Sequence, residues 1–309
     1  MGDLLTTDAL SVLIVSFGVG IVVGLTGMGG GALMTPALIF LGINPTAAVA
    51  NDLVAAGINK SVGAAVHWRQ GSPNLRLAGW LIAGSVPFAF AGGFIVKAMG
   101  PDHSDDTLMT LIGIALLAAA ASYTGRILLQ QRRLAAGNVT TSEITVRALP
   151  TFIVGAVGGL LVGITSVGSG SLIMVALLIL YPTLSAVRLV GTDLIQAVPL
   201  VLSAAVGHVL NTGVEWHVLI PLILGGTPGT YLGARISAWI NQSVIRRGIV
   251  IVLTLTGLKM LGVSPTWVGI IGGGMLLLGP LVWGGIRQLA GLPAFDENRS
   301  AWKVDRTRS

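Results

Sequence analysis

Two aspartates, Asp52 and Asp193, stand a few residues inside long apolar stretches. A carboxylate buried in such surroundings must be paired, wetted or protonated, because its desolvation is otherwise too costly. Two readings are open for the pair. They are proton-coupling or gating groups, or they cap helix N-termini, since Asn51-Asp52 and Thr192-Asp193 are cap-like pairs. Lys60 follows Asp52 by eight residues, so on a helix the two share a broad face about two turns apart. A cation there could hold an anion or neutralise the aspartate. Two clusters of small residues add donors: Thr26-Gly27-Met28-Gly29-Gly30-Gly31 and Thr165-Ser166-Val167-Gly168-Ser169-Gly170-Ser171. Each interrupts an apolar run, where glycine weakens a helix and frees backbone amides. The apolar runs that follow would point helix N-termini at the breaks, which favours anions. The competing reading is close helix packing through small residues.

Other polar residues carry weaker signals. Gln196 lies near Asp193 and could share its surroundings. Arg188 fits a side chain snorkelling to the headgroups. His67 and His208 close their spans, as pH-sensitive groups or as ordinary interfacial residues. With no cysteine and four histidines, no thiolate or metal-ligand spacing is found, and no cofactor is expected. No nucleophile–base arrangement can be argued, and no Gly-Lys-Ser/Thr follows the glycine runs, so an enzyme is not expected.

The elements that must position these groups are membrane helices. Of 309 residues, 53% are hydrophobic and 10% charged, against roughly 25% charged in soluble domains. A net charge of +6 would suit nucleic acid, but the basic residues are scattered through short loops, where they act as topology signals. The first ten residues hold Asp3 and Asp8 and no Lys or Arg, unlike a signal peptide's basic start. Apolar stretches at 9–28, 46–66, 77–99, 107–129, 147–165, 187–209, 217–240, 246–262 and 266–288 approach the length needed to span. Two shorter runs, 32–41 and 172–181, read as half-helices, re-entrant segments or short spans.

The sequence repeats. Residues 24–33 match 163–172 at an offset of 139, and Asp52, His67, Gly84, Pro87 and Gly92 match Asp193, His208, Gly225, Pro228 and Gly233 at 141. Matched connections differ in charge. Arg69 and Arg76 stand opposite Glu215, and Asp102, Asp105 and Asp106 stand opposite Arg235, Arg246 and Arg247. The positive-inside rule then puts them on opposite sides, so the second half is inverted and the tail with Arg287, Arg299 and Lys303 is cytoplasmic. The organisation expected is a first transmembrane repeat at 1–129, a cytoplasmic linker at 130–146, a second repeat plus a final span at 147–291, and a polar tail at 292–309. The fold class is an all-α polytopic membrane protein of two inverted repeats, with glycine-broken short helices near the midplane and about 8–11 membrane segments.

The motif Gly24-Leu25-Thr26-Gly27-Met28-Gly29-Gly30-Gly31, followed by Pro36, Asn44-Pro45 and Ala47-Ala48-Val49, resembles the first signature of the sulfite exporter TauE/SafE family. Gly163 through Gly170, Ala186-Val187 and Gly191-Thr192 repeat it, and residues 225–235 resemble the closing motif. The resemblance implies a bacterial inner-membrane permease that moves small sulfur-containing anions outward.

The function expected is therefore transport of a small anion, sulfite or an organosulfonate, by alternating access. Thr26, Gly27, Gly29, Gly30, Gly31, Asn51, Lys60, Thr165, Ser166, Gly168, Ser169, Gly170, Ser171, Thr192 and Gln196 are the candidate substrate-binding residues. Asp52 and Asp193 are the candidate coupling or gating residues. The partners expected are the anion, the bilayer, protons as the candidate coupling ion and a second copy in a homodimer, with no nucleic acid. A passive anion channel on the same scaffold and a non-transporting membrane anchor are the rival readings.

Overall fold

The computed structural model describes residues 7–26, 31–68, 73–100, 104–135, 144–184, 186–236 and 242–289. Eleven helices and no strand element are found among them. They are α1 (Thr7–Thr26), α2 (Gly31–Phe40), α3 (Pro45–Trp68), α4 (Leu75–Ala98), α5 (Ser104–Ala135), α6 (Ala148–Thr165), α7 (Leu172–Leu180), α8 (Ala186–Asn211), α9 (Trp216–Ile236), α10 (Gln242–Met260) and α11 (Pro265–Leu289). Every apolar stretch read from the sequence has become a helix, and the two short runs are the two short helices. α5 runs on to Ala135, into the stretch read as linker. Gln130 to Ala135 are Gln, Arg, Leu and Ala, all good helix formers, so nothing local stops the helix there.

Local sequence explains where helices end. After α2 and after α10 the chain turns through left-handed glycines, Gly42 (φ 88°) and Gly262 (φ 79°). In both turns the third residue beyond the helix reaches back: Ile43 N–H to the Leu38 carbonyl and Val263 N–H to the Leu258 carbonyl, each at 3.1 Å. Prolines at the first position of α3 and α11 then start the next helices. Asn44 caps α3 by accepting from the Thr46 N–H at 2.9 Å, and its amide ties that end to Asp105 of α5 at 2.5 Å.

Among the described residues, five helices contain windows long and apolar enough to cross a membrane: Ala9–Thr26, Leu75–Ala98, Asp105–Leu129, Ala148–Thr165 and Arg188–Asn211. α3 has the length but not the composition, because Asn51, Asp52, Asn59 and Lys60 lie along it. Large apolar side chains such as Leu10, Ile14, Leu149, Leu224 and Leu277 point outward, as a lipid-facing surface requires.

Helices pack through backbone contact. α4 lies along α6 and α1 along α9. At these crossings glycine carries one backbone onto the other: Gly84 against Phe152, Gly159 against Ser85 and Gly163 against Ala89 join α4 to α6, while Gly225 against Leu13, Gly20 against Gly226 and Gly24 against Thr230 join α9 to α1. A Cβ on Gly20 would stand 2.5 Å from the Gly226 carbonyl oxygen. Lipid offers helices no hydrophobic gain for associating, so such close approach does much of the holding. Centrally, α3 packs on α8, and α5 on α10.

Gly159→Ala should force α4 and α6 apart and cost about 1–3 kcal/mol or more, the usual range for overpacking. Gly79→Ala, on α4 with open space around it, should be neutral. Thermal unfolding midpoints of the two variants in detergent check this.

Candidate functional site

The centre of the molecule is polar where α2, α3, α8 and the α6–α7 connection meet. α6 ends when Ser166 turns left-handed (φ 60°), its N–H still bonded to the Val162 carbonyl at 2.8 Å. Among the described residues Ser166 is the one non-glycine with positive φ. That conformation costs an L-residue roughly 1–2 kcal/mol, and the matched position in the first half is Gly27. The serine gains a contact no glycine could make: its hydroxyl donates to Asp52 Oδ2 at 2.8 Å. Gly168 (φ 113°) completes the turn, and Ser171 stands at the start of α7 with its carbonyl accepting from Val175 at 3.1 Å.

Asp52 sits well inside α3, and Asp193 well inside α8. Neither caps a helix, so that reading of the pair is set aside. Asp52 is 2% exposed. Its Oδ2 accepts two hydroxyl bonds, from Thr35 of α2 at 2.6 Å and from Ser166. Asp193 is likewise buried and accepts from Gln196 Nε2, one turn on along α8, at 3.0 Å. Lys60 reaches from α3 to the α6–α7 connection, where its ammonium donates to the Ser169 hydroxyl. Its charge acts on Asp52 and on Asp193, and Arg126 of α5 adds a second positive field at Asp193. Gly31, the first residue of α2, lies so close to Ser166 that a Cβ there would overlap the serine's carbonyl oxygen.

The structure therefore brings together Gly31, Asp52, Lys60, Ser166 and Ser169, with Asp193 and Gln196 beside them. Gly27, Gly29 and Gly30 lie outside the described residues. Other candidates are engaged elsewhere. Thr26 turns its hydroxyl onto the Val22 and Val23 carbonyls of its own helix. Thr165 donates to the Leu161 carbonyl and accepts from the Val167 N–H. Thr192 donates to the Arg188 carbonyl and accepts from the Asn74 N–H at 3.0 Å, pinning the start of α4 to α8. Asn51 donates to the Ala47 carbonyl at 2.8 Å, while its Oδ1 is buried without a partner among the described residues. Gly170 and Ser171 lie in the connection itself.

His208 corrects the interfacial reading. It is fully buried, with Nε2 2.7 Å from the Gly163 carbonyl oxygen, and so ties α8 to α6. Its position near a helix end suggests a surface, but α4 and α6 cover it at the Gly93 and Gly163 contacts. The side chain of His67 lies outside the described residues.

Two functional-looking residues escape the sequence reading. Thr35 is the single hydroxyl-bearing residue in the apolar run Gly-Ala-Leu-Met-Thr-Pro-Ala-Leu-Ile-Phe, which was its available signal. Asn59 accepts from the Thr227 hydroxyl at 2.7 Å, linking α3 to the Gly-Gly-Thr-Pro-Gly run of α9. Among the described residues no group of three or more acidic, histidine or cysteine side chains could hold a metal.

A family model for sulfite exporter TauE/SafE matches residues 12–260. The chain is similar to a Bacillus subtilis protein named probable membrane transporter protein YjnA. The two are 34% identical over 255 residues, which cover 82% of this chain and all of that protein. A second Bacillus subtilis protein, probable membrane transporter protein YdhB, is 26% identical over 251 residues, 81% of this chain and 99% of its own. A probable membrane transporter protein of Xylella fastidiosa is 27% identical over 247 residues, 77% and 89% of the two chains. No solved structure matches. The match along most of the chain, the apolar helices and the buried polar centre agree: the protein belongs to the sulfite exporter TauE/SafE family of membrane transporters and is not an enzyme.

Proposed function

We propose that the protein exports a small sulfur-containing anion, sulfite or an organosulfonate, across the bacterial inner membrane by alternating access between two inverted halves. The observation that carries this reading is the meeting of Lys60, Ser166, Ser169 and Gly31 around one spot buried among helices. An ammonium and hydroxyl donors, close to the start of a short helix, are the groups an oxyanion needs. Backbone amides of the α6–α7 connection add donors that no longer helix consumes.

Packing supports the repeat. Shifting α6 residues by 139 and α4 residues by 141 turns three of the α4–α6 glycine contacts into three of the α1–α9 contacts: Gly84–Phe152 becomes Gly225–Leu13, Ser85–Gly159 becomes Gly226–Gly20, and Ala89–Gly163 becomes Thr230–Gly24. With the opposite loop charges, this favours inversion, a cytoplasmic C-terminus, and α2 and α7 as matched short helices facing the centre. Rocking of one half against the other would open the centre to each side in turn. Asp52 and Asp193 are the proton-coupling groups of the proposal, one from each half.

In proteoliposomes, labelled sulfite or an organosulfonate such as taurine should move saturably and follow an imposed pH gradient, whereas acetate should not compete. Flux that is linear in concentration and indifferent to the gradient would instead identify a channel, and absence of flux for sulfite, sulfate and taurine would remove the substrate class.

Ser166→Gly tests the site itself. Glycine suits the left-handed backbone, so the unfolding midpoint should stay within the shift that about 1 kcal/mol produces. Transport should fall about tenfold or more through loss of the hydroxyl, the scale of one charge-assisted hydrogen bond. Unchanged flux would remove Ser166 from the site.

A further inference from the structure

We propose that the Asp52 carboxylate is a tethered competitor of the transported anion: held in place by Thr35, it occupies the Ser166 hydroxyl that the substrate uses, and substrate binds when Asp52 is protonated and displaced. This rests on the transport reading above and assigns Asp52 a role different from that of Asp193.

Asp52 is tied to both halves of the sequence. Its Oδ2 is held from two sides, by Thr35 of α2 and by Ser166 at the end of α6. Ser166 belongs to the other half of the sequence, 114 positions away. A carboxylate oxygen and a sulfite or sulfonate oxygen are the same kind of acceptor, so Asp52 already makes the contact a bound oxyanion would make. The second observation is charge. Lys60 is the cation that acts on Asp52, and it also acts on Asp193. Asp193 has Arg126 of α5 in addition. From α2 and the α6–α7 connection the groups that reach Asp52 are hydroxyls, Thr35 and Ser166. An anion arriving while Asp52 is ionised would therefore place two like charges around one ammonium. Protonation of Asp52 removes the repulsion and turns a charged acceptor into a weaker neutral one, which the anion can displace.

Asp193 does not fit this role. Its hydrogen-bonding partner is Gln196 of its own helix, so releasing it frees no donor from the opposite half. Releasing Asp52 does: it breaks the Ser166–Asp52 tie between α3 and the α6–α7 connection, beside the Gly31–Ser166 contact. Substrate occupancy thus becomes coupled to uncrossing the two halves, with one proton taken up for each anion bound.

The test is equilibrium binding of sulfate and methanesulfonate to the full chain in detergent, by calorimetry, at about pH 5.5 and about pH 8, a range over which neither anion titrates but a buried carboxyl can. Wild type should bind about tenfold more tightly at the acid end. Asp52→Asn should bind tightly at both pH values, and Asp193→Asn should keep the wild-type pH dependence. Thr35→Val loosens one hold on the carboxylate without changing charge, and should raise affinity at both pH values while keeping the pH dependence. It decides the matter if Asp52→Asn does not fold. An Asp52→Asn protein that binds more weakly than wild type, or that retains its pH dependence, overturns the inference and leaves anion transport standing. So does a Thr35→Val protein without gain. Wild type that binds neither anion while still moving sulfite in vesicles overturns the inference as well; wild type that does neither takes the transport reading with it.

Discussion

Helices in a bilayer have no water to escape by packing together, so they need another reason to associate. Here that reason is contact between bare backbones. α6 lays Gly159 and Gly163 on α4, and α1 lays Gly20 and Gly24 on α9, at separations that leave no room for a Cβ. The rest of the molecule depends on those crossings. They draw the end of α6 toward the start of α2, and they bury Ser166 against Gly31. A side chain at Gly159 or Gly163 would press α6 away from α4, and α6 leads into the connection where Ser166 donates to Asp52 and Ser169 accepts from Lys60.

The polar centre follows from a second constraint. Charged groups among apolar helices persist when each has partners. Asp52 has two hydroxyls, Asp193 has an amide, and Lys60 has a hydroxyl and the field of both carboxylates. Thr192, Thr151 and Tyr181 do supporting work nearby. Thr192 holds the capping Asn74 at the head of α4, and the Tyr181 hydroxyl takes the Arg147 N–H at 3.0 Å, where α6 begins. These ties fix the starts of α4 and α6, and α6 carries Ser166 at its other end.

The matched positions of the two halves of the sequence differ in chemistry. Ser166 replaces Gly27, Ser169 replaces Gly30, and Lys60 has Val201 as its counterpart. The polar side chains are thus concentrated in the second cluster, where Ser166 meets Asp52 of the first half. In the proposed mechanism, matched halves would supply the rocking and the unequal side chains would give the cargo one place to sit. That combination suits a device in which binding and movement must be linked.

Much of this was legible without coordinates. Nine long and two short apolar runs determined the helices and their order, because hydrophobic run length is a local property of the chain. Other assignments had to wait for the fold. The sequence left Asp52 equally readable as a helix cap; only its place in the interior of α3 decides otherwise. It suggested a surface for His208, which α4 and α6 cover, and a substrate role for Thr192, whose hydroxyl is spent on Asn74. It passed over Thr35, and it could not pair Lys60 with Ser169 across 109 positions. Those outcomes depend on which helix faces which, and the facing is set by backbone contacts between segments far apart in the chain, a property of the packed molecule that no window of sequence contains.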